Sequence, residues 1–296
     1  MPENKPNKKI KEDHKDRLFR LVFGREEYKA ATLSLYNAIT GSDYTDPEEL
    51  EINTIEDAVY LNMHNDVSFI IAETLNLYEH QSSFSPNIPM RMLLYVSQLY
   101  SKMLEVNPNM SNRMHTHSKV MFPAPKFYVF FNGVEKEPEE RVLEITDCFM
   151  DQSNSDLKLS VKMFNINYGS NKNLMERCSP LSDYSKFIHD VRKYKIEGKD
   201  AKEAVTQAIE LLPHGLVRSI LIAHKAEATE MYLTEYDHEQ TLQGTYEVGV
   251  EDGMAKGMAE ANRKTAMSLL ADGMSVESVS KHTSLPVEEV RKLKMV

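Results

Sequence analysis

Apolar positions recur at helical spacing twice near the start of the chain. Leu18, Phe19, Leu21, Val22 and Phe23 form one side of a segment closed by Gly24, and Ala30, Leu33, Leu35, Tyr36 and Ile39 form the stripe of a second closed by Gly41. These predict helices over about 13–23 and 25–39. The period then changes. Val67, Phe69 and Ile71 alternate with Asp66, Ser68 and Ile70, and after Glu73-Thr74 a second alternation runs through Leu75, Leu77 and Glu79 against Asn76, Tyr78 and His80. Period two predicts a hairpin of strands 65–72 and 75–82. Helical spacing returns at Leu93, Leu94, Val96, Leu99, Tyr100 and Met103, with Pro89 at the start, predicting a helix over about 89–104. The continuous apolar run 127–131 reads as a buried strand ending in Asn132-Gly133, and 157–168 alternates again up to Gly169.

From about 182 onward the pattern is helical: 182–196, 200–211 and 215–236, then a Glu- and Met-rich segment carrying Gly244, Gly249, Gly253 and Gly257. The chain ends in a compact unit of helix to about 271, Asp272-Gly273, helix 276–282, Thr283-Ser284, and a helix from about Pro286. The expected class is α/β in the mixed α+β sense, a sheet flanked by helices with an all-helical C-terminal region. The expected division is a basic tail 1–13, a core 14–175, a helical extension 176–240, a linker or helix 241–262, and a helix-turn-helix-like unit 263–296. Glycines 249, 253 and 257 would line one side of a helix there, or mark a linker.

Composition narrows this modestly. At 41% hydrophobic and 27% charged, the 296 residues can bury a substantial core. No stretch approaches the roughly 18 consecutive apolar residues of a membrane helix, and the polar, basic start has no apolar segment behind it, so neither a membrane span nor a secretory signal is expected. Two cysteines, Cys148 and Cys178, make a disulfide framework or a cysteine zinc site implausible, and a reducing cytoplasm fits best. The net charge of −10 argues against a protein that coats nucleic acid through a uniformly basic surface. It does not exclude a DNA enzyme, because clustered carboxylates that hold cations count toward it.

The hairpin carries the chemistry. A two-residue loop at Glu73-Thr74 would set Asp66 opposite Gln81 and Ser68 opposite Glu79, with both carboxylates on one face and in diagonal reach. Two such carboxylates repel unless a cation lies between them, and Mg²⁺, which takes oxygen ligands and keeps several waters, is the natural candidate. Solvated acidic residues on an exposed sheet face are the other reading of the same spacing. His115-Thr116-His117 sits in a loop-like stretch with no carboxylate nearby and reads as loop. The methionines read as core filler.

Longer stretches add a resemblance. Asn65-Asp66-Val67-Ser68-Phe69-Ile70, Leu75-Asn76-Leu77-Tyr78-Glu79-His80-Gln81-Ser82, and Pro86-Asn87-Ile88-Pro89-Met90-Arg91 with Tyr95 resemble the family of recombination-promoting nucleases, also described as transposases, within the PD-(D/E)XK nuclease superfamily. So do Asp16-Arg17-Leu18-Phe19-Arg20-Leu21-Val22-Phe23-Gly24, Tyr36-Asn37-Ala38 leading to Gly41, and Tyr128-Val129-Phe130-Phe131-Asn132-Gly133. The likeness covers about 13–135 well and the C-terminal third more loosely, and Glu79-His80-Gln81-Ser82 followed by Pro86-Asn87 and Arg91 is its most specific part.

The resemblance implies a PD-(D/E)XK, restriction-endonuclease-like core and Mg²⁺-dependent hydrolysis of DNA phosphodiesters, with Mn²⁺ as a substitute ion. It implies that Asp66 and Glu79 hold the metal with the backbone carbonyl of His80, and that Gln81 orients the attacking water. Asn65 stands where the superfamily name has Pro. Gln81 stands where the superfamily has Lys, although the family resembled commonly carries Gln. Gln donates and accepts hydrogen bonds without charge, and loss of one transition-state donor costs roughly 10²–10³ in rate, so a slow enzyme is expected.

Asp16 either adds a carboxylate or simply favours a helix N-terminus. Arg91 either faces phosphate or pairs with a carboxylate, and Tyr95 reads as packing. In the C-terminal unit Arg291, Lys292 and Lys294 offer phosphate contacts, but Glu288 and Glu289 occupy the end where a recognition helix meets bases, so DNA contact and protein docking stand equal. The functional expectation is a DNA endonuclease linked to recombination or mobile elements. A homodimer would supply the two active sites that paired cuts in a duplex need. The rival is a DNA-binding or regulatory module that keeps the fold without turnover.

Overall fold

The computed structural model describes residues 17–53 and 66–293. The tail 1–13, Asp16, Asn65 and Lys294 lie outside them. In chain order the elements are α1 (Arg17–Phe23), α2 (Lys29–Thr40), β1 (Glu51–Ile52), β2 (Val67–Ile71), β3 (Thr74–Gln81), α3 (Ile88–Val106), α4 (Pro108–Arg113), β4 (Ala124–Phe131), β5 (Glu140–Glu144) and β6 (Ser160–Asn165). Helices α5 (Lys172–Arg177), α6 (Ser179–Ile196), α7 (Ala201–Leu211), α8 (Leu216–Ala223), α9 (Lys225–Ala271), α10 (Val276–Thr283) and α11 (Val287–Leu293) follow. The protein is thus mixed α/β, with a six-stranded mixed sheet flanked by helices and a helical C-terminal part.

The strand order is β1-β2-β3-β4-β6-β5. Strands β3, β4 and β6 run parallel at the centre, and antiparallel pairs β1–β2–β3 and β6–β5 close the two edges. Parallel neighbours need a long crossover, which α3 and α4 supply between β3 and β4. A central parallel strand is covered on both faces, so it carries no alternation. This is why Phe127, Tyr128, Val129, Phe130 and Phe131 are all buried.

Each face of the sheet has its own core. On one face Val67, Phe69, Ile71, Tyr78, Tyr128 and Phe130 pack with α1, α2 and residues of α6–α8 and the start of α9. On the other, Leu75, Leu77, Val129, Phe131, Val161 and Met163 pack with Met92, Tyr95, Val96 and Leu99 of α3. Residues between Leu181 and Tyr232, read from sequence as an extension, therefore complete the same core as α1 and α2.

The hairpin forms, with its two-residue loop at Ala72-Glu73 rather than Glu73-Thr74. Both loop residues are left-handed, at φ 48° and 60°, as a tight hairpin turn of matching twist requires. Neither Ala nor Glu favours that conformation, so the turn is imposed by pairing and leaves little local trace. The register becomes Val67↔Tyr78 through Ile71↔Thr74. The two-residue slip from the expected register keeps every side chain on its predicted face.

Two compact units, 1–237 and 238–296, divide the chain. Helix α9 is continuous through the segment read as linker or helix, glycines included. In the second unit Ala266, Val279, Leu285 and Val290 form a small core. Ser275 caps α10 by accepting from the Ser278 N–H, and Gly273 and Ser284 take the left-handed turns at either side. Among the described residues, no helix is long and apolar enough to cross a membrane.

Candidate functional site

Alternation along β3 splits its last residues between the two faces. Tyr78 and His80 turn toward α1 and α6. Glu79 and Gln81 turn toward α3, because they share a face with Leu75 and Leu77. One step beyond the Val67↔Tyr78 pair, Asp66 falls directly across from Glu79 and not diagonally, and Ile70 of its set packs on the α3 side. Asp66, Glu79 and Gln81 are 5%, 1% and 6% exposed. The structure therefore brings the three together as buried polar groups, on a face shared with buried Ser68 and the apolar Leu75 and Leu77.

Each carboxylate is held by a specific donor. Strand β2 begins at Val67, and the Asp66 side chain beside it reaches the backbone of β3: its Oδ2 accepts the His80 backbone N–H at 2.5 Å. The N–H and C=O of one strand residue point to the same side, so the His80 carbonyl also opens toward Asp66. The imidazole of His80 lies on the opposite face, stacked on Phe19 with centroids 5.4 Å apart and with Nε2 3.3 Å from the Tyr184 hydroxyl. Only the main chain of His80 belongs to the acidic site.

Glu79 Oε1 accepts a charge-assisted hydrogen bond from Arg91 Nη2. Arg91 sits on the first turn of α3. One turn later the hydroxyl of Tyr95 accepts from Arg91 Nε at 3.2 Å and Nη2 at 2.8 Å. Tyr95 is thus more than packing. Burial raises its phenol well above the ordinary value, the charges of Glu79 and, more weakly, Asp66 add to this, and Arg91 opposes it. Its oxygen is within electrostatic reach of both carboxylates. The motif Arg-x-x-x-Tyr at helical spacing was the available sequence signal for this pair.

The end of β4 is clamped beside the site. Asn132 N–H donates to the Gln81 carbonyl at 2.8 Å, and Arg192 of α6 donates to both Asn132 Oδ1 and its carbonyl at 2.7 Å each. A Cβ on Gly133 would lie 2.3 Å from the Ser82 carbonyl and 2.6 Å from the Phe131 ring, so only glycine allows this approach.

Two carboxylates and a main-chain carbonyl make an all-oxygen donor set that suits Mg²⁺ or Mn²⁺. A second observation agrees: Gln81 Oε1 is buried on the same face with no hydrogen-bond partner among the described residues, a state that costs free energy unless something else satisfies it. No group of three or more His, Cys, Asp or Glu side chains is placed to hold a metal among the described residues.

The remaining candidates fall elsewhere. Asp16 is not among the described residues. His115 and His117 are exposed. On α11, Arg291 pairs with Glu288 at 3.1 Å, Lys292 is exposed, and Glu289 pairs with Arg263 at 2.6 Å. A cavity of about 770 Å³ lies away from the acidic residues, lined by Arg20, Arg25 and Lys102 against Glu26, Glu27, Glu227 and Glu230, a near-balanced set. No family model, curated protein or solved structure matches the chain.

Proposed function

We propose that this protein is a metal-dependent DNA endonuclease of the PD-(D/E)XK type. The observation that carries the proposal is the pair of buried carboxylates, Asp66 and Glu79, facing each other across the open end of a hairpin, beside a Gln81 amide oxygen with no hydrogen-bond partner among the described residues. Burying two like charges on one face is costly unless cations compensate them, and the resemblance of the surrounding residues to the recombination-promoting nucleases supplies the chemistry.

Asp66, Glu79 and the His80 carbonyl would hold Mg²⁺ or Mn²⁺. Such an ion lowers the pKa of bound water and stabilises charge on a phosphoryl oxygen. Gln81 would accept a hydrogen bond from the attacking water through its carbonyl and donate through its NH₂, fixing the direction of attack. The Asp66 bond to the His80 N–H fixes that carboxylate before any ligand arrives. With no lysine in the set, turnover is slow. The proposed setting is cytoplasmic, consistent with two free cysteines, and a homodimer would supply the two sites for cutting both strands.

A second reading has its own observation. The Arg91 guanidinium already neutralises Glu79, as it would in a DNA-binding or regulatory protein that keeps the fold without turnover. Nicking of plasmid DNA by the purified chain in Mg²⁺ or Mn²⁺, with an EDTA control and the Asp66→Ala and Glu79→Ala variants, separates the two. Cleavage lost in all three controls is the expected result. Cleavage that persists in both variants would place the chemistry elsewhere, and none by the wild type in either metal favours the second reading.

A further inference from the structure

We propose that Arg91 is the built-in counter-cation of the acidic site: it competes with a divalent ion for Glu79, and metal binding hands its guanidinium to the substrate phosphate. The inference rests on the nuclease reading and adds a role for one residue within it.

Glu79 is 1% exposed, so its carboxylate needs a cationic partner in the absence of metal, and Arg91 Nη2 provides one at Oε1. That oxygen is one that a divalent ion held by Asp66 and Glu79 would use. A guanidinium and a divalent ion repel each other, so sharing it is unfavourable at close range.

Arg91 has somewhere to go. Its side chain is 33% exposed, whereas Glu79 is sealed, so one partner of the ion pair can swing outward and the other cannot. Guanidinium groups bind phosphate oxygens through paired, planar N–H donors. A displaced Arg91 would therefore meet a phosphodiester from the solvent side, restoring the cationic donor that Gln81 lacks. Tyr95 is the positioning residue: its hydroxyl takes two hydrogen bonds from the same guanidinium and holds it over Glu79.

The test is calorimetric titration of the full chain with Mn²⁺ in the absence of DNA, comparing wild type, Arg91→Gln and Tyr95→Phe. Removing the competitor should tighten Mn²⁺ binding by roughly ten- to hundredfold, the worth of one charge-assisted hydrogen bond. Tyr95→Phe, which keeps the cation but loosens it, should shift binding in the same direction by a smaller factor. Mn²⁺ should raise the melting temperature of Arg91→Gln more than that of the wild type, while its DNA cleavage falls.

Unchanged or weaker Mn²⁺ binding by Arg91→Gln overturns the competition while leaving the metal site standing, provided the wild type binds. Undiminished cleavage by Arg91→Gln overturns the phosphate role. If Arg91→Gln does not fold, Tyr95→Phe decides, and unchanged binding there is equally fatal. Absence of Mn²⁺ binding by all three proteins sinks the metal site and this inference together.

Discussion

Glu79 and His80 are neighbours on one strand, 1% and 2% exposed, yet they face opposite solutions to the same problem. On the His80 side the environment is aromatic: Phe19 stacks on the imidazole, Tyr184 meets its edge, and Phe130 stacks on Phe19 at 5.2 Å. On the Glu79 side two carboxylates are enclosed with the Arg91 guanidinium on Glu79, beside the Gln81 amide oxygen, which has no hydrogen-bond partner among the described residues. A core built for stability alone would not place like charges there, since apolar residues of equal volume commonly do as well or better. One face of β3 stabilises the fold, and the other holds buried like charges where the proposed cation site would lie.

The comparison can be broken most forcefully from the aromatic side. Phe19→Ala removes a fully buried ring in contact with His80, Phe130 and Tyr184, and should cost about 3–5 kcal/mol in urea denaturation. Cleavage per folded molecule should change little. A loss below about 1 kcal/mol would mean that this face does not carry the stability assigned to it.

A second test uses Cys178, buried in the same core, whose thiol is pushed from near 9 up to about 11, chiefly by burial. The folded state thus favours the protonated thiol. The contribution is complete below pH 9 and fades as pH rises toward 11, by about 2–3 kcal/mol in all. Stability–pH curves of wild type and Cys178→Ala should converge or cross over that window, and parallel curves would refute the assignment. Smaller again is Gly133→Ala, which forces the Ser82 carbonyl or the Phe131 ring to move and should cost about 1–3 kcal/mol. It touches the strand end carrying Gln81, so cleavage should fall with it. A stable variant with full cleavage would show the close approach to be dispensable.

The hairpin, the long helices and the C-terminal turns at Asp272-Gly273 and Thr283-Ser284 were legible because period and punctuation agreed locally. Strands β1 and β5 were not: β1 is two residues long, and β5, Glu140–Glu144, is an edge strand with Val142 exposed, so no apolar run marks it. The turn at Ala72-Glu73 was missed because its residues carry no left-handed preference. Four glycines weakened the helical reading of 241–262, yet α9 runs through them.

At the site, the common face of Asp66, Glu79 and Gln81 followed from alternation and a two-residue antiparallel turn, and a register error of two residues could not disturb it. The bond from the His80 N–H to Asp66 could not be read, because a side-chain bond to a strand's backbone leaves no periodic signature. Of the two roles open to Arg91, the contact with Glu79 needed the packing of α3 against the sheet to be chosen.

The most direct single measurement is the Mn²⁺-supported plasmid cleavage rate of Glu79→Gln, taken with its melting temperature on the same preparation. Gln keeps the shape and removes the charge. Cleavage should fall by at least about hundredfold, while the melting temperature holds or rises because a buried charge has gone. A variant that melts like the wild type and still cleaves like it would contradict the assignment of Glu79, and with it the acidic face of β3, to metal-dependent chemistry.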